Sequence, residues 1–274
     1  MIKNLRKNEE ITRCAVVTFV LIAAVLSGVA CESSAPSGPA IDTGDTKRAA
    51  EKIAEAEPLY EGREDLTKAR VAVAALRQAR TADYGNYEAA WKLARAAFFV
   101  GDRTDNSAER DDMFREGTEA GKAAVALQPD KPEGHFWLGA NYGGSAEHST
   151  LANLSSFKDI KGEMESVLKI DESYQGYSAY LGLGRLYLQA PRMLGGDSQK
   201  AIEYLEKGIK LNPDHALMRF HLAEAYAANN RDAEAKKQLE KLMTMTPDPK
   251  HIAEHKHAVE QANKLLEKLA ADRR

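Results

Sequence analysis

His251 and His255 stand one helical turn apart, with Glu254 directly before the second. This is the H-x-x-E-H spacing with which some proteases hold zinc between two imidazoles. Only 19 residues follow His255 to supply a further ligand, so the pair suits adventitious zinc at most and no metal site is assigned. Gly143-Gly144-Ser145-Ala146-Glu147 lacks the last glycine of a G-x-S-x-G nucleophile elbow, and no strand precedes it. Leu194-Gly195-Gly196-Asp197 lacks the lysine and the hydroxyl residue of a phosphate loop. Its glycines suit a turn, and Asp197 suits the cap of the helix that follows. Cys14 and Cys31 both lie in the first 31 residues, which leaves the rest of the chain without a disulfide, a cysteine metal site or a thiol nucleophile. No catalytic residue and no cofactor are assigned, and the chain reads as a non-enzyme.

A second set of residues has the chemistry of binding. Trp91, Phe136, Leu181 and Phe220 take equivalent places in four helices, and four residues further on stand Arg95, Ala140, Arg185 and Glu224. Residues four apart share a helical face. Tyr142 closes the helical signature in which Phe136 stands. An apolar floor with two cations nearby suits an amphipathic acid, an organic carboxylate or fatty acid, or else a partner's acidic segment. The plainer alternative is that the large residues fill a core and the arginines are solvated.

The elements that must position these residues are helices in pairs. Ala201, Ile202, Leu205, Ile209 and Leu211 recur at helical spacing, Asn212-Pro213 stops the run, and a new period passes through Leu217, Leu222, Ala223 and Tyr226. Pro213 and Pro247 stand 34 residues apart, the period of the tetratricopeptide repeat, a helix–turn–helix unit that stacks into a solenoid. His135, Leu138, Gly139 and Tyr142 match the first helix of that unit most closely, and Gly117, Gly121 and Ala124 before Pro129 match its second. Small residues let helices cross closely while Leu and Tyr fill the seam between repeats. The expected architecture is all-α: about five helix pairs over 46–274, closed by a capping helix after Pro249. Segments 102–112, 143–156 and 188–199 are longer than a plain repeat turn, and are expected as loops clustered on one edge, forming a binding rim.

Composition agrees with helices and narrows the partners. Formal charge is −3 with both signs intermixed, so no nucleic-acid partner is indicated. Residues 1–30 read as an export signal: Lys3, Arg6, Lys7 and Arg13 precede 17 uncharged, mostly apolar residues ending at Ala30. The tail Ser27-Gly28-Val29-Ala30-Cys31 resembles a lipobox, with Gly28 where that pattern prefers leucine. Cys31 is then the lipidated first residue of the mature chain, tethered by the flexible stretch 31–45. The alternatives are an ordinary signal cut after Ala30 and an uncleaved anchor. In each case the basic flank leaves the folded body outside the cytoplasm, facing the periplasm. Glutamate, not aspartate, follows Cys31, which favours the outer membrane over the inner.

The order HFWLGANYG, KIDESY, LGRLYLQAP, LGGD, KAIEYLEKGIKLNPD and LAEAYAAN resembles the T component of periplasmic TRAP transporters over about 85–270. That family consists of lipoproteins with a tetratricopeptide-like body around a ligand-accessible cleft or pore. The resemblance implies a role beside a TRAP system's periplasmic substrate-binding protein. A more distant likeness is to the regulator of microtubule dynamics family, whose membrane-anchored helical repeats share the layout; the export signal and LGGD favour the first. The expected role is an anchored accessory of solute transport that binds a small organic acid or that binding protein. The alternative is an envelope scaffold binding protein alone, and a homo-oligomer stays open for either.

Overall fold

Asp45, Asp65, Asn86, Asn106 and Asp197 each accept a backbone N–H of the turn they precede, satisfying donors that a helix start leaves unpaired. The computed structural model describes residues 44–148 and 154–271, within one compact unit, Asp42–Arg274. The expected export signal, Cys31 and most of the tether lie outside the described residues. Among those described there are eleven α-helices and no strand. Five hairpins follow one another: α1 (Thr46–Glu61) with α2 (Leu66–Ala82), α3 (Tyr87–Arg103) with α4 (Ser107–Leu127), α5 (Pro132–His148) with α6 (Leu154–Ile170), α7 (Tyr174–Gln189) with α8 (Ser198–Leu211), and α9 (Ala216–Ala228) with α10 (Asp232–Met243). The terminal helix is α11 (Ile252–Ala271). The all-α, tetratricopeptide-like solenoid of five pairs plus one helix is therefore borne out. No helix among the described residues is long and apolar enough to cross a membrane.

Helices pack at the small residues that the repeat pattern marks. A Cβ on Gly121 would stand 2.9 Å from the Leu138 backbone, and one on Gly184 would stand 2.4 Å from Leu205 Cγ. First helices of successive pairs touch one another, α1 with α3, α3 with α5, α5 with α7 and α7 with α9. They form the continuous inner face of the stack.

Two of the three expected loops are shorter than their sequence suggests. Segment 102–112 is mostly helical, because α3 runs on to Arg103 and Asn106 already caps α4. In the second, α5 continues to His148 before α6 starts at Leu154. The third, Ala190–Asp197, is a true connection that carries one short 3-10 turn, Arg192–Leu194. Gly195 there takes φ +108°, and Gly196 N–H donates to Pro191 O. A Cβ on Gly196 would meet Ala190 O at 1.8 Å. Both glycines of LGGD thus serve the turn before α8.

The start of α7 departs from helical geometry. Gln175, Gly176 and Tyr177 take φ of 50°, 64° and 70° in succession, a left-handed conformation that side chains beyond glycine disfavour. The turn is held by its neighbours: Asn212 Nδ2 donates to Gly176 O at 3.0 Å, and Ser178 Oγ donates to Gln175 O at 2.6 Å.

The terminal helix does more than cover the open end. Ala258, Ala262 and Leu269 bury against α9 and α10. At its other end Ala253 packs on the core of the first hairpins. Arg63, in the α1–α2 turn, forks onto Glu254 with Nη2 3.0 Å from each carboxylate oxygen. Lys256 reaches Glu64 at 2.5 Å. The last helix returns to the first hairpin, and the solenoid closes on itself.

Candidate functional site

Closure shapes a partly open cavity of about 1430 Å³, large enough for a drug-sized or fatty ligand. Its apolar lining comes chiefly from α3, α5, α6 and α7, through Phe98, Phe136, Trp137, Ile160, Leu181 and Leu186. The rings form a chain, with Trp137 centred 5.9 Å from Phe98 and 4.9 Å from Phe136, and Phe136 5.4 Å from Tyr174. The polar lining comes mainly from α9, α11 and the connections beside them, through His215, His221, His251, His255, His257 and Glu224.

The four residues Phe136, Leu181, Arg185 and Phe220, chosen by repeat register, all line this cavity. Trp91, Arg95 and Tyr142 do not. Arg95 lies 3.8 Å over the Tyr60 ring, pairs with Glu57 at 3.1 Å and approaches Trp91 at 5.0 Å. Tyr142 packs against the core around Met164, where burial pushes its phenol pKa up. The cause is a shift along the helix: α3 meets the cavity only through Phe98, Phe99, Asp102 and Arg103, about two turns past Trp91. The three segments read as long loops all contribute to the lining, through Asp102 and Arg103, Glu147 and Ser156, and Pro191 and Leu194.

Charges in the lining are mostly paired. Arg103 holds Asp102 at 2.7 Å, and Arg185 holds Glu147 at 2.7 Å. Arg185 Nε–H is nevertheless buried with no hydrogen-bond acceptor, a state that an incoming oxygen would relieve.

The histidines were the residues that repeat register missed. Five of the seven in the chain fall between 215 and 257, a clustering visible in the sequence, but only the return of α11 gathers them. His251, Glu254 and His255 of the zinc-like pattern line the cavity, with Glu254 engaged by Arg63; no group of three metal-ligating side chains forms among the described residues. His221 Nδ1 lies 2.6 Å from Glu224; burial lowers its pKa against the opposing pull of that carboxylate. Burial, then Arg103, lowers that of His257.

His215 caps α9: its Nδ1 accepts the Met218 N–H, so Nε2 carries the hydrogen toward Ser178 Oγ at 2.9 Å. The ring thereby braces the left-handed turn through Ser178. Burial, with His251 and His221 adding to it, pushes its pKa down to about 4. A histidine with a lowered folded pKa binds protons more readily when unfolded, so its contribution is complete above the unfolded value and is lost as pH falls toward about 4. His215→Asn keeps a capping oxygen and removes the titration. Between neutral pH and about 4.5, wild type should lose on the order of 2 kcal/mol more than this variant. Parallel thermal melts across that range test it; identical pH slopes would refute the assignment.

The sequence profile described as regulator of microtubule dynamics protein 1-3 matches residues 52–190, and a tetratricopeptide-repeat profile matches 192–256. No protein curated for function matches the chain in sequence. Among solved structures, the chain is similar to a thermophilic tetratricopeptide-repeat protein of Thermus thermophilus, with TM-score 0.59 and 20% identity over 80% of this chain and 99% of that one. It is similar to the pilF protein of Pseudomonas aeruginosa, with TM-score 0.51 and 15% identity over 81% and 92%. It is also similar to MamA of Desulfovibrio magneticus, with TM-score 0.50 and 16% identity over 73% and 95%. At such identities the likeness is one of fold.

Proposed function

The chain belongs to the regulator of microtubule dynamics protein 1-3 family, and we propose that this member is a lipid-anchored, periplasm-facing accessory of a TRAP-type solute transport system. It is a tetratricopeptide-type helical protein suited to protein–protein interaction. In the proposed role it binds a small amphipathic organic acid in its cavity and meets the system's substrate-binding protein at the surface. The anchor part of this reading rests on Cys31 and the apolar stretch before it.

The observation that carries the ligand reading is Arg185. It presents a buried N–H without an acceptor in the lining of a large cavity whose α5–α7 side is apolar, and a guanidinium is matched by a carboxylate. Phe136 and Leu181 then hold the aliphatic or aromatic body.

Mass spectrometry of small molecules retained by the full-length protein, purified from its own cells, tests this. Phe136→Ala and Arg185→Ala should each cut the retained acid at least about tenfold. Trp91→Ala, outside the cavity, should leave it unchanged. Equal retention in all three variants would refute the cavity as the site. The alternative of an envelope scaffold binding protein alone draws support from Met193, 87% exposed on the connection that flanks the cavity. It predicts capture of the binding protein by a Phe136→Ala variant that retains no ligand.

A further inference from the structure

The cavity is charged in the wrong sense for an anion. Its described lining carries six carboxylates, Asp102, Glu147, Asp214, Glu224, Asp248 and Glu254, against three cations, Arg103, Arg185 and Lys241. Two of those cations already hold carboxylates at 2.7 Å. An acid entering at neutral pH would add negative charge to a negative, partly desolvated space. The only groups in the lining able to gain positive charge are the histidines, and they sit together on the α9–α11 side.

We infer that the cavity binds its acid together with protons, which the histidines of α9 and α11 take up as the carboxylate enters, so that affinity rises as pH falls. The inference rests on the organic-acid reading above. His221 is the best placed. Glu224 of its own helix touches it, and Arg185 of α7 and Glu147 of α5 act on it across the cavity. While the ring is neutral, the His221–Glu224 pair carries one negative charge. A second carboxylate nearby makes protonation of that ring favourable, as like charges shift their neighbours toward the charge that offsets them. His257 faces Arg103 and Asp102 of α3, His221 of α9 and Glu260 of its own helix. The Arg103 charge opposes its protonation until a carboxylate arrives to screen it. His251 lies 3.9 Å from Glu254, which Arg63 holds from the first hairpin. His251 and His221 are also the charges that bear on His215, and Lys241 of α10 adds a cation at the lining. His215 itself is excluded from the uptake, because both its nitrogens are committed to the cap and to Ser178.

Calorimetric titration of the full-length protein with octanoate, octylamine and 1-octanol, from about pH 8 to about pH 5.5, tests this. Octanoate should bind more tightly by about tenfold per pH unit for each proton coupled. In buffers of different ionisation heat, the apparent enthalpy should report net proton uptake. 1-Octanol should show no such trend. His221→Gln and His257→Gln should flatten the octanoate trend; should either fail to fold, 1-octanesulfonate, which takes up no proton of its own in this range, should show the same trend and net uptake on wild type, and a pH-independent sulfonate affinity would overturn the inference. Octanoate affinity independent of pH with no proton uptake would overturn the inference while leaving the acid site standing. An equal trend for 1-octanol, or tighter binding of octylamine, would overturn it too. Failure of octanoate to bind at any pH would remove the acid reading itself, and this inference with it.

Discussion

Gly184→Val is expected to lower Tm by about 6–12 °C, corresponding to a loss of about 3 kcal/mol. Gly184 lies inside α7 where α8 crosses it. A Cβ there would stand 2.4, 2.7 and 3.0 Å from Cγ, Cδ2 and Cδ1 of Leu205. Leu205 is itself fully buried among Ile202, Tyr180 and the α9 core, so it has no free direction in which to retreat. The helices must separate, and separation exposes the seam that each hairpin relies on. A double-mutant cycle identifies the mechanism: in a Leu205→Ala background the valine should cost little, because the atoms it strikes are gone. Gly162→Ala is the control. Nothing lies within 4 Å of a Cβ at that helical site, and it should gain about 0.5–1 kcal/mol from helix propensity. Equal losses at both glycines would show that close helix crossing is not what Gly184 provides.

Arg63→Met should free the start of α11. The guanidinium lies 4.8 Å from the centre of the Tyr60 ring and 5.6 Å from that of Phe99 while gripping Glu254. The Arg63 and Glu254 side chains are only 11% and 24% exposed. Removing the arginine leaves a half-buried carboxylate without its main partner, which should cost about 2–3 kcal/mol. Hydrogen exchange should accelerate in residues 252–257 and leave α3 to α6 near their wild-type protection. Adding Glu254→Gln should restore much of the loss, since no charge is then stranded. If Arg63→Met alone exchanges like wild type over 252–257, Ala253 and the α9–α10 contacts hold the helix without this pair.

The architecture was open to reading because its determinants are local. The hairpins announce themselves through capping residues at Asp45, Asp65, Asn86, Asn106 and Asp197, small residues at the crossings, and Pro129, Pro213 and Pro247 after three of the second helices. None of these depends on what lies far away in the chain. The loop estimate failed at 102–112 because Asn106 caps α4 earlier than the apolar pattern begins, so polar residues from Ser107 onward are already helical. For the cavity, register brought Phe136, Leu181, Arg185 and Phe220 into one lining, since equivalent positions of stacked repeats face alike. The same register did not carry Trp91 and Arg95 there, because α3 touches the cavity only at its C-terminal end. The histidine side required knowing that α11 turns back to α1 and α2, and no periodicity encodes that return.

That return changes how the chain should acquire its structure. An open array of repeats gains its contacts from neighbours, can nucleate anywhere and frays from its ends. Here Arg63 and Glu254 are 191 residues apart, so their contact requires closing nearly the whole described chain and comes at high entropic cost before it is rewarded. Ring closure should therefore be the last and slowest step of folding. Once made, it couples the first hairpin to the last helix, so that the two ends melt in one transition and lose their protection together.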